Sequence, residues 1–187
     1  APTPTRAQYG LPEDAFFFAS FNNNFKFTPE VFQAWMRILQ AVPNSVLWLL
    51  ADNRWAHENL LKEADAHGIA RERFILAPRV MPAEYLARFQ LADLMLDTFP
   101  YNAGTTASDA LWMGLPILTL SGRTYISRMA GSLLTNVGLP DLITYSLDAY
   151  EKLAITLGRN PRRVASYKRY LKEFGRESDL FNVPQLV

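Results

Sequence analysis

At 187 residues, with 49% hydrophobic and 20% charged positions, the chain has the composition of a water-exposed globular domain long enough to bury a proper core. Nineteen Lys and Arg stand against 18 Asp and Glu, so the formal net charge of +1 gives no electrostatic case for nucleic acid or an anionic membrane as partner. The lack of cysteine excludes disulfides, thiolate nucleophiles and Cys-based zinc sites, and no apolar run reaches a membrane-spanning length, so the expectation is a soluble, cytoplasmic domain.

Residues 1–14 open with Pro, Thr and Ala without a period and read as a linker. Ala15 to Ala19 is a continuous apolar run, as expected for a strand covered on both faces. It is followed by Ser20-Phe21-Asn22-Asn23-Asn24-Phe25-Lys26. In an open α/β sheet ligands bind just beyond the carboxyl ends of strands, so Lys26 can serve as a phosphate counter-ion with Asn23 beside it; a solvated Asn-rich loop fits the same letters. Thr28-Pro29-Glu30 is a helix start, with Thr as N-cap and Pro in the first turn, and the helix runs to about Ala41. Ser45 to Leu50 is a second buried strand. A helix from about Asn53 to His67 follows, carrying both histidines at a spacing unsuited to a metal pair.

Arg73 to Leu76 is a third strand, followed by Ala77-Pro78-Arg79-Val80-Met81-Pro82 and an amphipathic segment with Tyr85 and Arg88 on one face. Tyr85 offers a flat ring on which a base can stack, and packing is its plainer use. Asp93 to Asp97 reads as the central strand, and after a loop with Pro and Asn a helix opens at Gly104-Thr105-Thr106. The first turn of a helix carries unpaired N–H groups and partial positive charge, which attract phosphate. Gly104 permits close approach, Thr105 and Thr106 add hydroxyl donors, and Asp109 lies one turn deeper on the same face, placed to accept from ribose hydroxyls. The plainer alternative is a Thr cap with an Asp complementing the dipole. Leu115 to Leu120 is a fifth strand and Leu142-Ile143 a minimal sixth. A helix with Ser127 and Arg128 ends near Asn136, another runs from Leu147 to Gly158 behind a Ser146 cap, and a basic one from Pro161 to about Lys172 precedes a tail over 173–187. Lys168, Arg169 and Lys172 read as a solvated face.

This alternation implies a doubly wound, mostly parallel, Rossmann-like α/β lobe over 15–172. Three loops that leave strands at one sheet edge carry polar groups, which favours a nucleotide.

The segments Pro43 to Leu50, Gln90-Leu91-Ala92-Asp93, Leu96-Asp97-Thr98, Gly104-Thr105-Thr106, Asp109 and Leu111-Trp112-Met113-Gly114-Leu115-Pro116 together resemble the C-terminal catalytic region of O-GlcNAc transferases, inverting glycosyltransferases of GT-B architecture. The likeness runs from about Phe16 to Asn182, in the flavour of a bacterial member. It implies that Lys26 steadies the leaving diphosphate, that Asn23 contacts that region, and that Thr105 and Thr106 bind the diphosphate and Asp109 the ribose. Arg88 and the backbone of Val80 would lie beside the uracil. Three positions depart from the family pattern: Tyr85 stands where a histidine stacks on uracil, Pro82 where a lysine reaches the ribose, and Gly104 where a histidine precedes the Thr pair.

The resemblance further implies a UDP-sugar donor, no metal or other cofactor, and a protein acceptor modified on Ser or Thr. It also implies an N-terminal catalytic lobe, with or without a tetratricopeptide array, that this chain does not supply, so the chain alone binds donor and transfers nothing. The rival is a non-enzymatic nucleotide- or protein-binding module on the same fold.

Overall fold

The computed structural model describes residues 4–21, 28–50, 54–77, 82–99 and 102–178. Six strands, β1 (Phe16–Ser20), β2 (Ser45–Leu50), β3 (Phe74–Ala77), β4 (Leu94–Leu96), β5 (Ile117–Leu120) and β6 (Ile143–Thr144), form one sheet in the order β3-β2-β1-β4-β5-β6. Every pairing is parallel, with Phe18 opposite Leu47 on one side and Leu94 on the other. The chain lays down β2 and β3 outward from β1, then returns to its other side for β4. That reversal opens a crevice between the carboxyl ends of β1 and β4, where this topology binds ligands.

Seven helices are described: α1 (Pro29–Ala41), α2 (Arg54–Ala66), α3 (Pro82–Arg88), α4 (Thr105–Trp112), α5 (Met129–Asn136), α6 (Leu147–Gly158) and α7 (Pro161–Phe174). Local chemistry explains several starts. Thr28 accepts from the Val31 N–H with Pro29 at the first helical position, and Ser146 accepts from the Ala149 N–H. Strands β1, β4 and β5 are buried at every position, so apolar helices must cover both faces of the sheet. No described helix is long and apolar enough to cross a membrane.

Two boundaries differ from expectation. In the segment read as a linker, Arg6 and Leu11 are docked on the domain. The Arg6 guanidinium donates to the carbonyls of Leu91 and Ala15, pairs with Asp93 at 3.0 Å and lies 4.1 Å from the Phe17 ring centroid, while Leu11 is buried in the core. The tail is likewise not featureless, since α7 continues to Phe174 and a short turn of 3₁₀-helix follows over Gly175–Glu177.

One buried chain of hydrogen bonds ties the helical layer to the loop after β4. Trp35 Nε1 on α1 donates to the Tyr150 hydroxyl on α6 at 2.8 Å, and that hydroxyl donates to the backbone carbonyl of Asp97 at 2.9 Å. Burial pushes the Tyr150 phenol far up, so it remains a donor throughout the accessible pH range.

Candidate functional site

The loop from β4 to α4 is shaped by the carboxylate of Asp97. Its Oδ1 accepts from the backbone N–H groups of Thr98 and Ala103, both at 2.8 Å, and its Oδ2 accepts from the Thr119 hydroxyl on β5 at 2.6 Å. Asn102, also buried, donates through Nδ2 to the Thr98 carbonyl at 3.0 Å and accepts from the Ala130 N–H of α5 at 3.4 Å. The loop is therefore closed on itself and anchored to β5 and α5, and it delivers Gly104 to the carboxyl edge of the sheet in a defined position.

Gly104, not a threonine, occupies the N-cap of α4, and no side chain caps this end. The capping alternative for the Thr pair thus does not hold. Thr105 and Thr106 are the first two helical residues, and the N–H groups of the first turn point out of the helix with its positive dipole end. A Cβ at Gly104 would meet Met129 Cε at 2.9 Å, so glycine here lets the start of α5 close over the loop. Between α4 and α5 a cavity of about 540 Å³ is lined by Gly104, Thr105, Ser108, Tyr125, Arg128 and Met129 among others.

On the opposite flank, α3 brings Tyr85 to the Thr pair. The half-buried phenol donates to Thr106 Oγ1 at 3.4 Å while its ring meets Phe89 edge-to-face at 5.1 Å. Burial, the largest influence, pushes the Tyr85 phenol up and Asp109 adds to it, so the group stays protonated and donating. Asp109 lies one turn below Thr105 and Thr106, half-buried, and burial raises its carboxyl above the usual range. Among the described residues no donor hydrogen-bonds to it and no cation pairs with it. A partly desolvated carboxylate without a protein donor is costly unless something else supplies one.

The structure thus assembles Tyr85, Gly104, Thr105, Thr106 and Asp109. Lys26, Asn23 and Val80 lie outside the described residues. Arg88, expected beside the base on the face of Tyr85, acts electrostatically on the Tyr85 phenol. It is 1% exposed, with its guanidinium 5.4 Å from the Phe21 ring and 5.9 Å from that of Trp48. Asp97, at the end of the strand read as central, has a structural role through the three hydrogen bonds that it accepts. Sequence reasoning passed over Asn102 and Ser108; a buried-strand Asp followed five residues later by Asn was the available signal for the former.

Residues 2–187 match the family described as glycosyl transferase family 41. The chain belongs to that family. It is 37% identical over 185 residues to a relative from Arabidopsis thaliana, covering 98% of this chain and 19% of that one. A Caenorhabditis elegans relative named UDP-N-acetylglucosamine--peptide N-acetylglucosaminyltransferase is 35% identical over 181 residues, covering 97% of this chain and 16% of that one. Among solved structures, a K341M mutant of the O-GlcNAc transferase of Thermobaculum terrenum superposes with a TM-score of 0.82 at 31% identity, over 89% of this chain and 34% of that one. The family 41 chain described here thus spans less than a fifth of the length of these two curated relatives. Its fold is the Rossmann-like lobe expected of GT-B architecture.

Proposed function

We propose that this chain is the donor-binding lobe of an inverting, metal-independent glycosyltransferase that moves a sugar, GlcNAc in the first instance, from UDP to Ser or Thr of a protein. The observation that carries the reading is Asp109, a half-buried carboxylate without a described protein donor, one helical turn beneath two threonines at an uncapped helix N-terminus. A nucleoside diphosphate fits both halves of that arrangement. Vicinal ribose hydroxyls donate to Asp109, and the diphosphate accepts from the first-turn N–H groups and the Thr105 and Thr106 hydroxyls. The names of the relatives, which specify UDP-N-acetylglucosamine and a peptide, support uridine as the nucleoside and a protein as acceptor.

In this reading an acceptor hydroxyl oxygen bonds to the anomeric carbon as the bond from that carbon to the diphosphate oxygen breaks, with inversion. UDP leaves with the electron pair, and the acceptor proton passes to a base on a second lobe. This lobe's share is charge stabilisation, since the α4 N-terminus and the Thr hydroxyls face the oxygen on which negative charge develops. Lys26 joins them by family resemblance. Among the described residues no three His, Asp or Glu side chains cluster as metal ligands.

Calorimetric titration of the chain with UDP, in chelator and then in excess magnesium, tests the proposal, with ADP and GDP as controls. Selective UDP binding that does not change with magnesium is the expected result. Equal affinity for the three nucleotides, or dependence on magnesium, would overturn it.

A further inference from the structure

At the far end of α4 from Thr105, where β4 and β5 begin, a cavity of about 530 Å³ is lined by Gln90, Trp112, Lys168, Arg169, Lys172 and Arg176, together with Met113 and Gly114. Four cations and no carboxylate line it in a chain whose net charge is only +1. Glu173 and Glu177 are close in sequence, yet neither faces the cavity. Among the described residues none of the four cations is in an ion pair. The carboxylate that acts on Lys168, Asp93, is itself paired with Arg6.

Two of the cations have structural duties. Lys168 Nζ donates to the Ala92 carbonyl at 2.8 Å, and Arg176 donates to the Trp112 carbonyl at the negative end of α4. Among the described residues Arg169 hydrogen-bonds only to the Ser166 hydroxyl, and Lys172 has no hydrogen-bond or ion-pair partner. Like charges gathered without counter-charge repel one another, an arrangement relieved when an anion enters.

We propose that this cavity is a second binding site, distinct from the crevice at β1 and β4, for a small, multiply charged phosphate compound. The volume is that of a small-molecule pocket. Recognition rests on charge, because the Arg176 guanidinium already lies 4.3 Å over the Trp112 ring and leaves that face closed to a stacking base. A neutral sugar would find little here beyond the Gln90 amide. The site stands independently of the donor reading.

The test uses inorganic pyrophosphate on the whole chain at low ionic strength, followed by calorimetry and by the NMR signal of the Trp112 indole, with and without saturating UDP. The expected result is a shift of the Trp112 signal that persists in UDP, and an affinity at least about tenfold lower in the Arg169→Gln/Lys172→Gln double variant. Both substituted side chains are exposed, so the fold is retained, and an unchanged melting temperature verifies it. Shifts confined to the amides of Thr105 to Ser108, undiminished affinity in the folded double variant, or no binding at about millimolar pyrophosphate would each overturn the proposal.

Discussion

The Tyr85 phenol donates to Thr106 Oγ1 across 3.4 Å and so joins α3 to the first turn of α4. A hydroxyl that accepts from one side keeps its own proton for the other, so Tyr85 sets Thr106 as a donor toward whatever binds at the helix N-terminus. Tyr85→Phe keeps the ring and its edge contact with Phe89 but removes this orientation. Because the hydrogen bond is long, UDP affinity is expected to fall only about two- to fivefold, roughly 0.5–1 kcal/mol. Thr106→Val, which removes the donor itself, should cost more, about 1–2 kcal/mol. Calorimetry on the two variants orders them, and a larger loss from the tyrosine would contradict the arrangement.

The carboxylate of Asp97 accepts two backbone N–H groups and one hydroxyl in a buried position. An amide in its place turns an NH₂ group toward a donor. Asp97→Asn is therefore expected to destabilise the fold by about 1.5–3 kcal/mol, read from urea unfolding. In the fraction that remains folded, UDP binding should weaken as well, because the same contacts deliver Gly104 to the crevice. A stable variant with an intact site would show that the loop is held by other means.

Where the determinants are local, they are readable in the chain. The Thr28-Pro29-Glu30 start of α1 and the Ser146 start of α6 require only neighbours three residues away, and both form as expected. Apolar runs of strand length likewise locate β1, β2 and β5 to within two residues.

What escaped depends on partners distant along the chain. Arg6 looked like part of a linker because its acceptors at Leu91 and Asp93 lie more than eighty residues on. The burial of Arg88, with its guanidinium near the Phe21 and Trp48 rings, likewise depends on side chains at least forty residues away. Asn102 carries only a weak local signal, its spacing from Asp97, since its work is to bridge the β4 loop to α5. For the candidate site, the motif from Gly104 to Asp109 was legible as a ligand-facing turn, whereas the loop chemistry that holds it in place was not.

Gly158, the last residue of α6, packs where a Cβ would meet Phe18 Cζ at 2.8 Å and Val42 Cγ2 at 3.0 Å. Helix propensity alone favours alanine by about 1 kcal/mol. Phe18 is fully buried in the central strand and has no room to retreat, so overpacking of about 1–3 kcal/mol outweighs that gain. Gly158→Ala should lower the melting temperature by roughly 2–6 °C, seen by calorimetry, with UDP affinity unchanged because the crevice is untouched. A higher melting temperature would mean that α6 can shift outward.

Asp109 sets binding against stability. Burial raises its carboxyl above the unfolded value, so the folded state disfavours the ionised form. That penalty is present at neutral pH and is relieved as pH falls through the raised value, the reverse of a salt-bridged aspartate. Asp109→Asn removes the penalty, and the ligand-free variant should be more stable at neutral pH by roughly 0.5 kcal/mol, about 1–2 °C, a small figure because the group is only partly enclosed. The same change removes a charged acceptor from the ribose and should weaken UDP binding by about 1.5–3 kcal/mol. Parent affinity should also decline as pH is lowered toward the raised pKa, while the variant stays flat over that range. Melting curves and titrations at several pH values read both effects. A variant that is destabilised, or that binds UDP as the parent does, would remove Asp109 from the site and leave its burial without a ligand to explain it.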